Sequence, residues 1–214
     1  MKEFNLLRVI GISISIFGIL VIIFGNVKTA ENFQMLSNFG QNILVLNAIL
    51  LIIMPKNRRL MIALIIGVAI MVFDFVFEVI AVSAGWWILI GDNLILGLPI
   101  EMVISFLFIG TSTGLILYLP EKIREMDFKL FNWLKPLVKN PRHDLLWKLL
   151  IILVLTVIST YGDLGGGVEM GVWVYGPNWH PSFVFILNGW LYIGLIALSL
   201  QYFLEKKLPE ESSR

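Results

Sequence analysis

The stretch LMIALIIGVAIMVFDFVFEVIAV, from Leu60 to Val82, places two acidic residues inside an otherwise apolar run. It is long enough for a membrane-spanning helix, which needs about 20 mostly apolar residues. Asp74 and Glu78 stand at positions i and i+4, so they lie on one face of that helix. Two carboxyl groups that close, with no cation beside them in sequence, are expected to share a proton. The stretch therefore predicts a spanning helix with an acidic face for proton chemistry; the alternative is that both acids are solvated near the membrane surface.

Long apolar segments recur along the chain, which has 214 residues, 58% of them hydrophobic and 14% charged. A soluble domain carries about 25% charged residues. Apolar segments of spanning length lie at about 6–25, 34–54, 60–82, 95–118, 145–161 and 181–204. We predict an all-α, polytopic membrane helix bundle of about six transmembrane helices, forming a single integral-membrane domain over residues 1–214. An alternative for the fourth helix is a broken or re-entrant start around 86–98. The absence of cysteine excludes disulfides and thiolate chemistry.

Basic residues fall almost entirely on one side of this predicted bundle, and only Lys28 lies opposite. The residues on the common side are Lys2, Arg8, Lys56, Arg58, Arg59, Lys122, Arg124, Lys129, Lys135, Lys139, Arg142, Lys148, Lys206, Lys207 and Arg214. The positive-inside rule then places both termini in the cytoplasm. The predicted location is the cell membrane, as a multi-pass protein. The basic N-terminus precedes an apolar run without a cleavage site, which we interpret as a retained first helix.

Acidic residues sort toward the opposite side. From a rise of about 1.5 Å per residue, Asp74, Glu78, Glu101 and Asp163 reach a similar depth, near the outer boundary of a roughly 30 Å hydrocarbon layer. Two interpretations of Glu101 remain open: an acid aimed into the bundle, or an anion favoured by the helix dipole at an N-terminus. Glu169 follows in the outer segment GDLGGGVEMGVWVYGPNWHP. These five acids are the candidate catalytic residues.

Aromatic residues gather beside these acids. Trp86, Trp87, Trp173 and Tyr175 fall at the same outer level, where aromatic belts are common and need no further function. Their closeness to carboxyl groups favours a ring-lined pocket that stabilises a carbocation, so they are the candidate substrate-binding residues. His180 has no partner at metal-ligand spacing, and the chain has no phosphate-loop or dinucleotide motif. We therefore predict acid–base chemistry on a hydrocarbon, with no metal or other cofactor.

Residues 56–118 and 142–204 share one organisation. Each unit begins with a basic stretch, runs through an apolar helix to acidic residues, and reaches a proline that opens a returning helix. Proline suits the first helical turn because its missing N–H group costs nothing there. Repeats related by a pseudo-axis commonly hold a binding site between them. The pattern predicts a diverged two-helix repeat, although Phe183 stands where the first unit has Glu101.

Two motifs, DFVFEVIAVSAGWW at 74–87 and LGLPIEMVISF at 96–106, resemble the integral-membrane carotenoid cyclases. That family comprises heterodimeric bacterial, fused archaeal and bifunctional fungal lycopene cyclase domains. The resemblance covers about residues 56–204. The residues that match the family pattern are Asp74, Trp86, Pro99 and Glu101, with Asp163, Glu169 and Trp173 as looser counterparts in the second unit. The chain departs from the pattern at Met102, where the family has a second glutamate.

The resemblance implies a membrane-embedded carotenoid or isoprenoid cyclase that protonates a polyene and shelters the resulting cation. A related carotenoid hydratase-like enzyme is the near alternative. The same acids would also serve a proton- or cation-coupled transporter, a metal-binding membrane protein, or an assembly subunit whose acids pair with a partner's cations. The expected partners are a lipophilic small molecule and membrane lipids, with no nucleic acid. Self-association as a homo-oligomer is compatible with the sequence.

Overall fold

The computed structural model describes residues 30–90, 94–125, 135–169 and 172–208. These residues are mostly helical, as predicted. The helices are α1 (Ala30–Ile53), α2 (Asn57–Ser83), α3 (Ile100–Ile116), α4 (Leu119–Glu125), α5 (Lys135–Val138), α6 (Asp144–Tyr161) and α7 (Phe183–Lys207). A 3₁₀ turn at Pro141–His143 precedes α6, and a π-helix at Gly162–Glu169 follows it.

Three helical stretches are long and apolar enough to cross a membrane: Asn57–Ser83, Pro141–Gly165 and Phe183–Lys207. Helices α3 and α4 together would make a fourth span, bent by 47°. The apolar part of α1, Gly40–Ile53, is shorter. The predicted first span at 6–25, like Lys28 and Asp92, lies outside the described residues. The count of six spans and the cytoplasmic termini therefore stay predictions.

Short strands lie between α2 and α3 and between α6 and α7, which the all-α prediction did not include. Strand β1 (Trp87–Leu89) pairs antiparallel with β4 (Trp173–Tyr175), and β2 (Leu94–Ile95) pairs with β3 (Leu98–Pro99). Gly85 ends α2 with a φ of 69°, a conformation that glycine adopts without strain. Gly176 approaches its carbonyl so closely that an added Cβ would lie 2.2 Å from the Gly85 oxygen. The described residues of the region around 86–98 therefore form short strands and turns and no helix.

Helix α2 buries one continuous stripe of side chains against its neighbours. Its buried residues include Ile62, Ile66, Ile70, Asp74 and Glu78, which recur every fourth position and so share a face. The stripe faces α3 closely, because Gly67 and Gly110 leave no room for a Cβ on either helix. Small residues of this kind let two apolar helices approach. The periodicity that buries the isoleucines also carries both acids into the interior.

An apolar cluster fills the middle of the bundle. It consists of Ile62, Ile66, Ile70, Leu117, Ile152, Ile193 and Ala197. Gly194 of α7 accepts the side chain of Ile152 from α6, since a Cβ at Gly194 would lie 2.5 Å from the Ile152 Cγ2 atom. We call this set the central plug. It lies between the acidic part of the α2 stripe and the basic start of α2.

Four of the described basic residues on this side of the plug are bound to acids or carbonyls of other elements. Arg59 of α2 and Lys148 of α6 both pair with Glu121 of α4, at 2.9 and 3.3 Å. Arg124 donates to both carboxylate oxygens of Asp144. The Arg58 guanidinium donates to the backbone carbonyls of Glu205 and Leu208 at the end of α7. We call this set the basic end; it joins the predicted cytoplasmic segments on one side of the molecule.

Candidate acid site

Three of the predicted acids converge on one chamber. Asp74 and Glu78 are only 6% and 9% exposed, because they extend the buried stripe of α2. Asp163 enters from the π-helix after α6, and the three carboxyl groups are close enough to interact electrostatically. They line a chamber of about 100 Å³. No lysine, arginine or histidine is among the described residues that line it.

Two of these carboxyl groups are held by neutral indole donors. Trp87 Nε1 donates to the Glu78 Oε2 atom at 2.6 Å, and Trp190 Nε1 donates to the Asp163 Oδ2 atom at 2.8 Å. A buried indole N–H group needs such an acceptor. The Asp74 carboxyl accepts no hydrogen bond from any described residue and faces the chamber. No cation among the described lining residues balances these acids. Of the three carboxyl groups, only that of Asp74 accepts no hydrogen bond from a described residue.

The π-helix carries Asp163 past the expected end of its helix. The apolar segment predicted at 145–161 ends before Asp163, whereas the chain continues in wide turns from Gly162 to Glu169. Single π-turns are rare and are frequent at functional sites. Here the glycine-rich sequence lets the backbone widen and reach β4. The side chain of Glu169, also predicted for the site, lies outside the described part of the structure.

The aromatic residues divide into two groups. Trp87 and Trp173 line the chamber, and the pairing of β1 with β4 brings their ring centroids within 5.9 Å. Trp86 is not among the described lining residues; it packs against Trp179 with centroids 5.0 Å apart. Tyr175 stacks on the His180 ring at 4.7 Å and also lies off the chamber. Two of the four predicted aromatic residues therefore reach the site.

Glu101 does not join the other acids. It occupies the first turn of α3, is half-buried, and is absent from the described lining, whereas the next residue, Met102, lines the chamber. Neighbouring residues on a helix point about 100° apart, so only one of the two can face the cavity. The position where the resembled family has its second glutamate is thus the one that faces the chamber here. In this chain the residue at that position is Met102, whose side chain is a thioether and not a carboxylic acid.

Sequence reasoning missed Trp190, the donor to Asp163. A signal was present: Trp190 stands well inside α7, away from the helix ends where interfacial tryptophans gather. An indole at that depth requires a polar partner. The partner is 27 positions away in sequence. Local sequence patterns do not relate residues this far apart, so the hydrogen bond was not predicted.

A groove leads sideways from the chamber. It has a volume of about 330 Å³ and runs between α2 and α7. Chamber and groove share the residues Asp74, Phe77, Phe185, Gly189 and Ile193. Toward the outside the groove ends at Phe73 and Tyr192, both exposed. The Asp74 carboxyl therefore stands where the two spaces meet.

Within the described ranges, no group of three or more histidine, cysteine or acidic residues is placed to hold a metal ion. Comparison with protein-family models, with curated proteins and with solved structures finds no match for the chain.

Proposed function

We propose that this protein is a membrane-embedded isoprenoid cyclase that acts on a polyene of the carotenoid type. The observation that carries the proposal is the convergence of Asp74, Glu78 and Asp163, without a cation, on a chamber lined by Trp87 and Trp173. An apolar enclosure accommodates the uncharged form of a carboxyl group at the lowest cost. Such a group can deliver a proton to a carbon–carbon double bond, which is general acid catalysis.

The proposed reaction consumes one proton and returns one. Asp74, whose carboxyl accepts no hydrogen bond from the described residues, protonates a terminal double bond. A second double bond of the same substrate molecule then attacks the cation to close a ring. The faces of Trp87 and Trp173 stabilise the cation by cation–π attraction. Glu78 or Asp163 then removes a proton from a neighbouring carbon and forms a new double bond. The product is an isomer of the substrate, so the reaction needs no redox or metal cofactor.

The central plug favours an enzyme over the transporter alternative. A proton- or cation-coupled transporter needs a polar path through the bundle, with ionisable groups along it. Between the chamber and the basic end, the described core is centred on the isoleucine-rich central plug, and the polar side chains buried beside it, such as Thr111, Thr156 and Gln201, are not ionisable. Asp74 opens instead onto a mostly apolar groove. This arrangement supports chemistry on a hydrocarbon.

The test is expression of the chain in cells that accumulate lycopene, followed by chromatography and mass spectrometry of the pigments. A cyclic isomer of lycopene supports the cyclase, and a product heavier by one water supports the hydratase-like alternative. The matched control carries Asp74→Asn, Glu78→Gln and Asp163→Asn together, because these changes keep side-chain shape and remove all three acids. An unchanged pigment profile with correctly inserted protein rules out lycopene as the substrate.

Met102 gives a second arm of the same test. If a further carboxyl group is what the resembled family uses for ring closure, Met102→Glu places one directly in the chamber. A product that appears only in this variant would show that the wild-type chamber performs related chemistry and not lycopene cyclisation. Met102→Leu is the control of similar volume.

A further inference from the structure

The groove opens partway along two apolar helices and not at their ends. Phe73 and Tyr192 at its mouth are 46% and 61% exposed. From a rise of about 1.5 Å per residue, Phe73 lies about 15 Å from the end of α2 and Tyr192 about 14 Å from the start of α7. Both helices are among those long and apolar enough to cross a membrane. A mouth at that height meets the hydrocarbon layer, so access is lateral.

The lining of the groove suits an unsaturated chain. Phe73, Phe77 and Tyr192 present aromatic rings, and Asp74 is the only carboxylic acid among the described residues that line it. Rings and a carboxyl group offer little to a saturated acyl chain beyond apolar contact. Conjugated double bonds stack on rings and can accept a proton from the acid. The groove therefore matches a polyene better than a lipid tail.

We infer that the groove is the binding site for the body of a long isoprenoid hydrocarbon, which enters from the bilayer between α2 and α7 with its reacting end in the chamber. The volumes support this division, because the groove has about 330 Å³ and the chamber about 100 Å³. Pockets for drug-sized ligands have about 300–1,000 Å³, so the chamber holds only the end of a chain. The inference rests on the proposed function, which supplies the reaction in the chamber. It adds that the substrate is linear and enters from the bilayer between α2 and α7.

Gly189 lies where the groove meets the chamber. It lines both of them, and a Cβ atom built there meets nothing within 4 Å. A larger side chain would therefore project into the passage without displacing any neighbour. It would also raise the intrinsic helix propensity of α7, since glycine is a poor helix former. Gly189→Phe should block the passage while the helix remains folded.

The matched control is Val184→Phe on the same helix. Val184 is 61% exposed and lines neither the chamber nor the groove. Both variants add one aromatic ring to α7, so a general effect of the added ring on insertion or folding will show in both. Circular dichroism in detergent checks that both stay helical.

The experiment is a lycopene titration of the full chain in nanodiscs of phosphatidylcholine and phosphatidylglycerol, followed by tryptophan fluorescence. Trp87, Trp173 and Trp190 line the chamber, so a bound polyene quenches them. We expect saturable quenching in wild type and in Val184→Phe. In Gly189→Phe the half-saturating lycopene content should rise at least about tenfold, because the introduced ring clashes with the chain.

The outcomes separate this inference from the proposed function. Equal half-saturation in wild type and Gly189→Phe, or no saturable quenching at all, overturns the inference. Equally saturable quenching by a dibrominated phosphatidylcholine would assign the groove to an acyl chain and overturn it as well. Lycopene binding that Gly189→Phe blocks, without any product in cells, refutes the cyclase and leaves the binding site standing. Product formation unchanged by Gly189→Phe refutes lateral entry and leaves the cyclase standing.

Discussion

The acidic residues at the two ends of the bundle have different partners: cations at the basic end and neutral indole donors at the chamber. At the basic end, Glu121 pairs with both Arg59 and Lys148. At the chamber, Glu78 and Asp163 accept hydrogen bonds from indole N–H groups. An ion pair neutralises a carboxylate and fixes it in place, whereas a neutral donor orients the group and leaves its charge unbalanced.

The difference separates structural acids from acids available for chemistry. The carboxylate of Glu121 is held between two cations and joins the helices that carry them. A carboxyl group beside other carboxyl groups in an apolar chamber is suited to exchange protons. The central plug keeps the two environments apart. Four pairs of substitutions test this contrast and the packing around it.

The largest expected effect is on turnover. Asp74→Asn keeps the side-chain shape and removes the open carboxyl group, so product formation should fall at least about 100-fold, the usual range for a general acid. Glu121→Gln at the basic end should change it by less than about twofold per unit of folded protein, since it touches no chamber residue. Pigment yield normalised to inserted protein measures both. Equal losses in the two variants would break the contrast.

The second prediction concerns stability at the basic end. Glu121→Ala leaves Lys148 buried without its partner and should lower the free energy of unfolding by about 2–3 kcal/mol. Glu78→Gln should change it by less than about 1 kcal/mol, because the amide oxygen still accepts from Trp87. Unfolding in mixed micelles by a denaturing detergent measures both variants. A larger loss in Glu78→Gln would mean that the chamber acid is structural.

The third prediction compares two glycines of α7. Gly194→Ala must displace Ile152, whose Cγ2 atom would lie 2.5 Å from the new Cβ, and should destabilise by about 1–3 kcal/mol. Gly189→Ala meets no neighbour and should stabilise by about 0.5–1 kcal/mol. The same unfolding assay measures both. Destabilisation by Gly189→Ala would show that the space beside it closes in solution.

The smallest expected effect is the loss of one indole donor. Trp87→Phe keeps an aromatic ring and removes the hydrogen bond to Glu78, at a cost of about 1 kcal/mol beyond the change in packing. The control, Trp179→Phe, alters a ring that lines no part of the chamber. A difference in thermal midpoint between the two variants is the expected result. Identical midpoints would mean that the Glu78 hydrogen bond adds nothing to stability.

The helices and the convergence of acids were readable from the sequence, because both follow from local periodicity. The lengths of the apolar segments predicted α2, α6 and α7. The four-residue spacing of Asp74 and Glu78 placed both side chains on one helix face. The contacts that complete the site are long-range, and periodicity carries no information on them. The pairing of β1 with β4 and the bond from Trp190 to Asp163 are of this kind. Glu101 was grouped with the other acids by its depth, but it does not line the chamber. Depth along a helix does not specify which face a side chain occupies.

The pairing of β1 with β4 also bears on how this chain can diverge. Trp173 stands opposite Leu89 with its side chain buried, whereas the next residue, Val174, is exposed. Because side chains alternate between the two faces of a strand, a one-residue insertion or deletion within Trp173–Tyr175 would exchange those faces. The valine would then face the acids in place of the tryptophan. An alignment of related sequences should therefore show no single-residue gap within Trp173–Tyr175.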